Sequence, residues 1–526
     1  MAYLEVANLS YAVPGGRVLF EDVSFRVPEG KRVALVGANG TGKTTLLRLI
    51  AGEDKPRGGH LRVHGRFAYM RQFVGSANPH QTIRDFLLSL APASVQKAAH
   101  ALAAAEHAIA TTRETAAHTD YAAALISWGD AGGYEAEVLW NTCTTAAFGL
   151  SLDHAGGRVL GTLSGGEQKR LALECLFRSD AHLLLLDEPD NFLDIPGKRW
   201  LEGMLTATKK TVLFVSHDRA LLAATTDRVV TLEAKGAWTH PESFATYAEA
   251  RQARIEQIED EQKRYREKHA RLVTQMREFK RRAAMSSKFA SRAKAAVTKL
   301  ERYERENAPR DRPDDQDIRM DLGGGRTGKL VLRLEGFSLP GLVEPFDTEI
   351  HYGERVGIVG GNGTGKSHFL KLLAGEPIEH AGEYKLGARV DPSLFSQLHE
   401  RPELIGQPLI EVLKARGFEL GSAISALKRY ELHQQSQLPF ELLSGGQQAR
   451  FQLLLMETQS PTMLLLDEPT DNLDVDSADA LEDGLLAYKG TVLAVTHDRW
   501  FMLLLDRFLV FNDDGSVTES LETPYA

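Results

Sequence analysis

Two glycine-rich stretches in this 526-residue chain end in a lysine followed by a hydroxyl residue: Gly37-Ala38-Asn39-Gly40-Thr41-Gly42-Lys43-Thr44 and Gly360-Gly361-Asn362-Gly363-Thr364-Gly365-Lys366-Ser367. Each follows a short apolar run, Arg32 to Val36 or Arg355 to Val359, and opens onto a helix-forming run, Thr44 to Ala51 or Ser367 to Ala374. Strand, glycine loop and helix in that order turn successive backbone N–H groups toward phosphate oxygens at a helix N-terminus. Gly37, Asn39, Gly40, Gly42, Lys43, Thr44 and Thr45 are the candidate ATP contacts of the first loop, and Gly360, Asn362, Gly363, Gly365, Lys366 and Ser367 those of the second. The lysines suit the β- and γ-phosphates, and the hydroxyls of Thr44 and Ser367 suit Mg²⁺.

The downstream residues supply the rest of a hydrolytic apparatus, again twice and in the same order. Apolar runs end in Asp187-Glu188-Pro189 and Asp467-Glu468-Pro469. Asp187 and Asp467 are placed to hold Mg²⁺ through water. Glu188 and Glu468, one residue on, are placed to polarise the water that attacks the γ-phosphate. Gln72 and Gln397 each follow a short apolar stretch and are candidates for touching the metal and that water. His217 and His497 follow further apolar runs, and both precede Asp-Arg. A single histidine is more often an ordinary one, but the repeated placement favours a catalytic role. Tyr11, near a strand end, is either an adenine platform or a core aromatic.

The elements that must position these groups are legible in outline. Alternating apolar stretches, Tyr3 to Val6 and Leu330 to Leu334, read as the first strand of each half. The repeat predicts two α/β domains of about 200 residues, spanning 1–240 and 311–526. From lysine to signature serine the first half is longer than the second. Its extra sequence is alanine-rich and glycine-free from about Ala91 to Ala124, which predicts helices inserted at about 88–130. Hydrophobic residues at 43% and charged residues at 25% are ordinary globular values. Cys143 and Cys175 fit neither a metal site nor a disulfide framework, which suits a reducing cytoplasmic setting. No run is apolar for the roughly 18 residues a membrane span requires.

Residues 241–310 join the halves, and Glu242 to Ala308 contains neither proline nor glycine. That composition predicts two helices of about 30 residues folded as a hairpin, with Ser286 and Ser287 as bend and N-cap. The net charge of −9 discourages a nucleic-acid partner for the chain as a whole. From Arg271 to Leu300, however, nine basic residues stand against Glu278 alone. A basic segment on an acidic chain is a directed electrostatic device; its alternative is a solvated helical face.

The order of glycine loop, Gln, Leu-Ser-Gly-Gly, Asp-Glu-Pro and Ser-His-Asp or Thr-His-Asp resembles the ATP-binding cassette superfamily over nearly the whole chain. Two cassettes, no membrane domain and a charged helical linker resemble its ABC-F subfamily. The resemblance implies a fold of two tandem cassettes joined by a long basic helical hairpin, and cassettes that close head to tail. Ser444, Gly445 and Gly446 would then complete the site of Lys43, and Ser164, Gly165 and Gly166 that of Lys366. It further implies a monomeric cytosolic ATPase that binds the ribosome at the tRNA exit site and probes the P-site tRNA or peptidyl-transferase region with the linker. Arg277, Lys280, Arg281, Arg282, Lys288, Arg292 and Lys294 are the corresponding RNA-contact candidates, and the inserted helices resemble the family's arm. Within the subfamily, a translation factor and an antibiotic-resistance factor are both open, and the short bend near Ala284 to Phe289 leans to the former. An ATPase subunit of a membrane transporter, with separate transmembrane partners, is the alternative of another class. Two departures mark the chain: Asp190 stands where Thr470 keeps the family's hydroxyl type, and Phe337 to Pro340 offers no aromatic matching Tyr11.

Overall fold

The computed structural model describes residues 3–13, 18–71, 80–111, 115–233, 235–309, 318–396 and 401–524. They form two compact units, Met1–Pro241 with Gln316–Ala526, and Glu242–Asp315. Both cassettes lie in the first.

In the first cassette, β1 (Tyr3–Ala12), β2 (Val18–Val27) and β4 (Gly58–His64) make an antiparallel sheet in the order β2-β1-β4. β3 (Arg32–Val36) enters a six-stranded sheet and feeds α1 (Lys43–Ile50). That sheet runs β5-β6-β7-β3-β8-β9, built from β5 (Phe67–Met70), β6 (Leu183–Asp187), β7 (Thr211–Val215), β8 (Arg228–Leu232) and β9 (Ala237–His240). All neighbours are parallel except β8 and β9. β6 and β7 are buried at every residue, as a parallel strand covered on both faces requires. Leu35, Leu46, Leu47, Leu185 and Leu213 pack in the core between the two sheets and α1.

Helices α2 (Ile83–Leu90), α3 (Ala93–Thr111), α4 (Thr115–Asp130) and α5 (Gly133–Phe148) fill the segment between phosphate loop and signature. α3 packs on α4, and both touch α5. Gly133 is required there, because a Cβ would fall 2.0 Å from the Trp128 ring, which in turn packs on Trp140. After α6 (Leu152–Ala155), α7 (Gly165–Arg178) carries the signature; α8 (Ile195–Ala207) and α9 (Arg219–Thr225) complete the cassette.

The second unit is a helical hairpin. α10 (Tyr247–Met285) and α11 (Ala290–Glu306) are joined by a short 3-10 turn, Ser287–Phe289. The equal helices expected from composition are not found: α10 has 39 residues and α11 has 17. Uniform helix-forming composition sets total helical length, but the turn divides it, and the extended conformation of Ser286 places that turn well past the midpoint. Ser286 ends α10 instead of capping α11, whose N-cap position falls to Phe289 with no side-chain cap. At 1.5 Å per residue α10 is about 58 Å long. The pair is joined by stacking of Tyr265 on Tyr303 with centroids 5.2 Å apart, by Lys268 over the Tyr303 ring, and by His269 against Glu304 at 2.8 Å. Arg277, Lys280, Arg281, Arg282, Lys288, Arg292 and Lys294 are all exposed. Near the turn, the guanidinium groups of Arg282 and Arg292 lie 6.0 and 5.8 Å from the centroid of the Phe289 ring.

The second cassette repeats the first without the long insertion. β10 (Leu330–Leu339), β11 (Val343–His351) and β13 (Ala381–Leu386) form its antiparallel sheet, in the order β11-β10-β13. β12 (Arg355–Gly360) leads to α12 (Lys366–Leu373) and lies in a sheet ordered β14-β15-β16-β12-β17-β18. Its other strands are β14 (Pro392–Phe395), β15 (Met463–Asp467), β16 (Thr491–Val495), β17 (Arg507–Phe511) and β18 (Val517–Ser520). Only α13 (Leu409–Ala415) and α14 (Leu420–Arg429) precede α15 (Gly445–Gln459), and α16 (Val475–Ala487) follows β15. Phe369 of α12 sits 5.5 Å from the Phe337 ring and 5.9 Å from that of Phe511. Because it ties the antiparallel sheet to the parallel one and is fully buried, Phe369→Ala is expected to lower the unfolding free energy by about 3–5 kcal/mol. Urea unfolding followed by circular dichroism measures that loss.

Candidate nucleotide sites and the seam between the cassettes

Each glycine loop is shaped by close backbone approach. Gly37 and Gly360 have φ of 147° and 150°, and a Cβ would fall 2.7 Å from the Leu232 carbonyl and 2.1 Å from that of Phe511. Gly42 and Gly365 cap α1 and α12 in the left-handed conformation. Gly40 and Gly363 are also left-handed and face open space. Lys43 donates to the Gly37 and Ala38 carbonyls at 2.7 and 3.2 Å; Lys366 donates to those of Gly360 and Gly361 at 2.9 and 2.6 Å. Burial pushes both ammonium pKa values down, opposed at Lys43 by Asp474, Glu188 and Asp187 and at Lys366 by Glu468 and Asp467. Thr45 lies half-buried in the first turn of α1.

The hydroxyls of both loops meet the strand-end aspartates. Thr44 donates to Asp187 at 3.3 Å and Ser367 to Asp467 at 3.1 Å. Burial pushes Asp187 up to about 6, opposed by the Thr44 hydrogen bond and by Lys169 and Lys43. Its Oδ2 is buried with no hydrogen-bond partner. An unspent carboxylate oxygen beside a hydroxyl fits a hard cation that takes its remaining ligands from water and phosphate. No cluster of three or more His, Cys, Asp or Glu among the described residues forms an all-protein cage.

Glu188 and Glu468 share a feature that sequence does not mark: both sit at φ 48°, left-handed for a non-glycine residue. Their N–H groups donate to the Val215 and Val495 carbonyls at 2.9 and 3.0 Å, which fixes the turn at the end of β6 and β15. His217 Nε2 lies 3.9 Å from the Glu188 carboxylate, and His497 Nε2 3.5 Å from that of Glu468. Burial holds both imidazoles at about 3, aided by Lys43 at His217 and by Lys366 and Lys198 at His497, so both are neutral near pH 7. The two carboxylates differ in one neighbour. Asn191 donates to Glu188 at 2.6 Å, whereas Asp471 stands at the corresponding position beside Glu468. Burial, followed by Asp471 and Asp467, pushes Glu468 well up.

The cassettes meet head to tail. Asn39 of the first loop donates through its side chain to the Asn472 carbonyl at 2.7 Å and through its backbone to Asp474 at 2.6 Å. Asn362 of the second loop donates to the Phe192 carbonyl at 3.3 Å. Gly446, at the start of α15, lies against Asn39: a Cβ there would stand 2.1 Å from the Asn39 amide nitrogen. Gly166 faces Asn362 in the same sense, and Ser164, Gly166 and Gly361 line one cavity of about 420 Å³. Ser164 and Ser444 cap α7 and α15, each accepting from the N–H three residues on. Gly165 packs under the Phe192 ring, and Gly445 opens α15. Arg219 reaches Asp479 and Glu482 on α16, and Arg499 reaches Glu202 on α8.

Tyr11 is half-buried in β1, 6.2 Å from the Phe20 ring and packed on the core. Gln72 and Gln397 lie outside the described residues. Sequence reasoning missed Lys169, buried in α7 with its ammonium on the Glu188 carbonyl, and Lys198, buried at the seam. It also missed the exchange of Asn191 for Asp471. Superposing the halves by motif would have exposed all three, since Ala449 and Ala478 stand opposite the two lysines.

This geometry agrees with the comparisons. The family model described as "ABC transporter" matches residues 20–191 and 343–471. An "Antibiotic resistance protein" of Mycobacteroides abscessus is 46% identical, covering 99% of each chain. The chain belongs to the ABC-F subfamily of ATP-binding cassette proteins. The "Energy-dependent translational throttle protein EttA" of Haemophilus influenzae is 28% identical to this ABC-F chain over 96% of it and 91% of the relative. In fold it is similar to the archaeal ribosome recycling factor aABCE1 solved with the ribosomal stalk protein aP1, with TM-score 0.56 and 20% identity over 96% of this chain and 87% of that one. As an ABC-F protein it binds nucleotide and hydrolyses ATP.

Two outcomes test the site. Gly446→Ala drives a methyl into Asn39 and the Asn472 carbonyl, so steady-state phosphate release is expected to fall about tenfold or more, the equivalent of one or two lost hydrogen bonds; parental turnover would contradict the seam geometry. The neutral histidines give a pH signature. A native imidazole held at about 3, against an ordinary 6.5, leaves the unfolded chain binding more protons as pH falls, so each costs stability below about 6.5. Asp190 and Asp471, pushed up to about 6 by burial, act in the opposite sense. His497→Gln is therefore expected to reduce the acid loss between about pH 7.5 and about pH 5 by about 2 kcal/mol, read as the difference in urea-unfolding free energy against the parent.

Proposed function

We propose that this ABC-F ATPase acts on the ribosome, with Mg²⁺-ATP held between the cassettes as the closing ligand and the basic hairpin as the RNA-contacting element. The observation that carries the closing ligand is the reciprocal seam: each phosphate loop bonds the loop that follows the catalytic glutamate of the other half. A nucleotide held by Lys43 would meet the N-terminus of α15, whose N–H groups and dipole favour the γ-phosphate, and one held by Lys366 would meet that of α7. Thr44 with Asp187, and Ser367 with Asp467, would hold the Mg²⁺, which supplies charge neutralisation at the phosphates. Glu188 and Glu468 would orient the attacking water, and the neutral His217 and His497 would accept or donate a hydrogen bond at the γ-phosphate without adding charge. Loss of that phosphate removes the ligand that joins the halves.

The nine basic residues between Arg271 and Leu300 support contact with an RNA backbone, and the Phe289 ring beside two arginines offers a stacking surface near the turn. The name of the translational throttle relative supports a ribosomal target, and that of the 46% identical relative supports a role in drug resistance. We place the protein in the cytoplasm, acting as a monomer, at the tRNA exit site that the subfamily resemblance implies.

With ATP, the Glu188→Gln/Glu468→Gln protein is expected to sediment with ribosomes, and adding Arg281→Glu, Arg282→Glu and Lys288→Glu should release about 90% of it, the effect of losing several phosphate contacts. A parent that stays in the supernatant rejects the ribosomal target; copurification with a membrane protein would favour the transporter alternative. Drug tolerance on expression separates a resistance factor from a general translation factor.

A further inference from the structure

Lys198 lies in the first turn of α8, 8% exposed, in a cavity of about 250 Å³ at the middle of the seam. Its ammonium is 3.0 Å from the carboxylate of Asp218 and donates to the His497 carbonyl at 3.2 Å. Asp218 follows His217, so one side chain of the first cassette holds the histidine loops of both. The same cavity is lined by Asp190 and Asp218 from the first cassette and by Glu468, Asp471 and Asp498 from the second. Arg499 also acts on Asp218, and Arg219 lies 3.7 Å from Asp498. Asp190 and Asp471 thus face one cavity from the two cassettes. Aligning Asp194 with Asp474 puts Ala478 opposite Lys198 and Thr470 opposite Asp190. Cassette one therefore carries an acid and a base on this cavity at the two positions where cassette two carries neutral residues, so Lys198 has no counterpart at Ala478.

Resting on the closing-ligand reading above, we infer that Lys198 is a positioning residue that couples the two ATP sites: it supplies the positive charge that lets Asp190 and Asp471 approach as the cassettes close, and it ties the His217–Asp218 loop to the His497 loop. A carboxylate pair brought together in a dry seam without a cation is costly, so removal of the lysine should oppose closure while leaving each cassette's own loop and strand contacts in place. The native Thr470/Ala478 pair shows what the same position looks like without either charge.

The test uses the full chain carrying Glu188→Gln and Glu468→Gln, with ATP-driven closure followed by fluorescence transfer between dyes on the two cassettes. Lys198→Ala is expected to raise the ATP concentration for half-closure about tenfold or more. Lys198→Arg should restore most of the response, and Lys198→Ala/Asp190→Thr, which installs the second cassette's pair, should bring it back toward the parent. Closure of Lys198→Ala at the parental ATP concentration overturns the inference, as does a double variant no better than the single one. If Lys198→Ala fails to fold by thermal melting, the double variant must refold it; a double variant equally unfolded overturns the coupling role too. A parent that does not close with ATP overturns the clamp itself and the inference with it, whereas a parent that closes beside an unaffected Lys198→Ala removes only the inference.

Discussion

Carboxylates gather where the two cassettes touch, and a buried carboxylate is tolerated only beside a cation, a proton or several hydrogen bonds. That constraint governs the seam. The residues after Glu188 and Glu468 approach the glycine loop of the other half, and several of them are acidic. Asp190, Asp218, Asp471, Asp474 and Asp498 all lie in the region, answered by Lys198, Arg219 and Arg499 and by the backbone N–H of Asn39. Asp474 shows the other solution: burial alone would raise it, but the Ser477 and Asn39 hydrogen bonds and Lys43 hold it down. The cassettes can therefore meet only when loop, strand end and helix start place charge against charge.

The same constraint explains why the two sites are alike in plan and unlike in detail. Asn39 and Asn362 perform the same act on opposite carbonyls, and Arg219 and Arg499 reach the corresponding glutamates of α16 and α8. Each half makes the same contact on the other, so the two copies are matched in charge and both are present. The interior positions diverge because a central cation serves both halves at once. With Lys198 in place, a second lysine at Ala478 would crowd the same cavity, and Asp190 is compensated where its counterpart is a threonine. The departure at Asp190 is thus the companion of Lys198. Phe192 follows the same logic at the backbone: it holds a left-handed conformation that Asn472 adopts readily, with Lys169 5.9 Å from its ring.

The motifs made the phosphate loops, the strand-end carboxylates and the strand, loop and helix order legible, because each depends on chain-local sequence: a buried apolar run, glycines at fixed offsets, a hydroxyl after lysine. The hairpin was legible as helix and as basic, since absence of proline and glycine over Glu242 to Ala308 is a local property too. Its division into 39 and 17 residues was not, because Ser286 and Ser287 mark a break without fixing which helix they cap. Lys169 and Lys198 were illegible for a different reason. A lysine in the first turns of a helix reads as solvated surface; only packing against Glu188 in one case and against the other cassette in the second removes it from water. Tyr11 was ambiguous in sequence for a related reason, since a half-buried ring beside Phe20 has one face in the core and another available.

Backbone strain completes the account of how the fold serves the chemistry. Glu188 and Glu468 are held left-handed at the same φ by equivalent N–H bonds to the next strand, at a cost of order 1–3 kcal/mol each. An extended residue there would continue the direction of β6 or β15. The turn instead lifts the carboxylate beside the histidine of the neighbouring strand, 3.5 to 3.9 Å away. The strain is sustained because β6 and β15 are buried at every residue and cannot relax without opening the central sheet. The rigid strand fixes the acid and the neighbouring strand fixes the imidazole, while Asn39 and Asn362 bond each glycine loop to the opposite cassette.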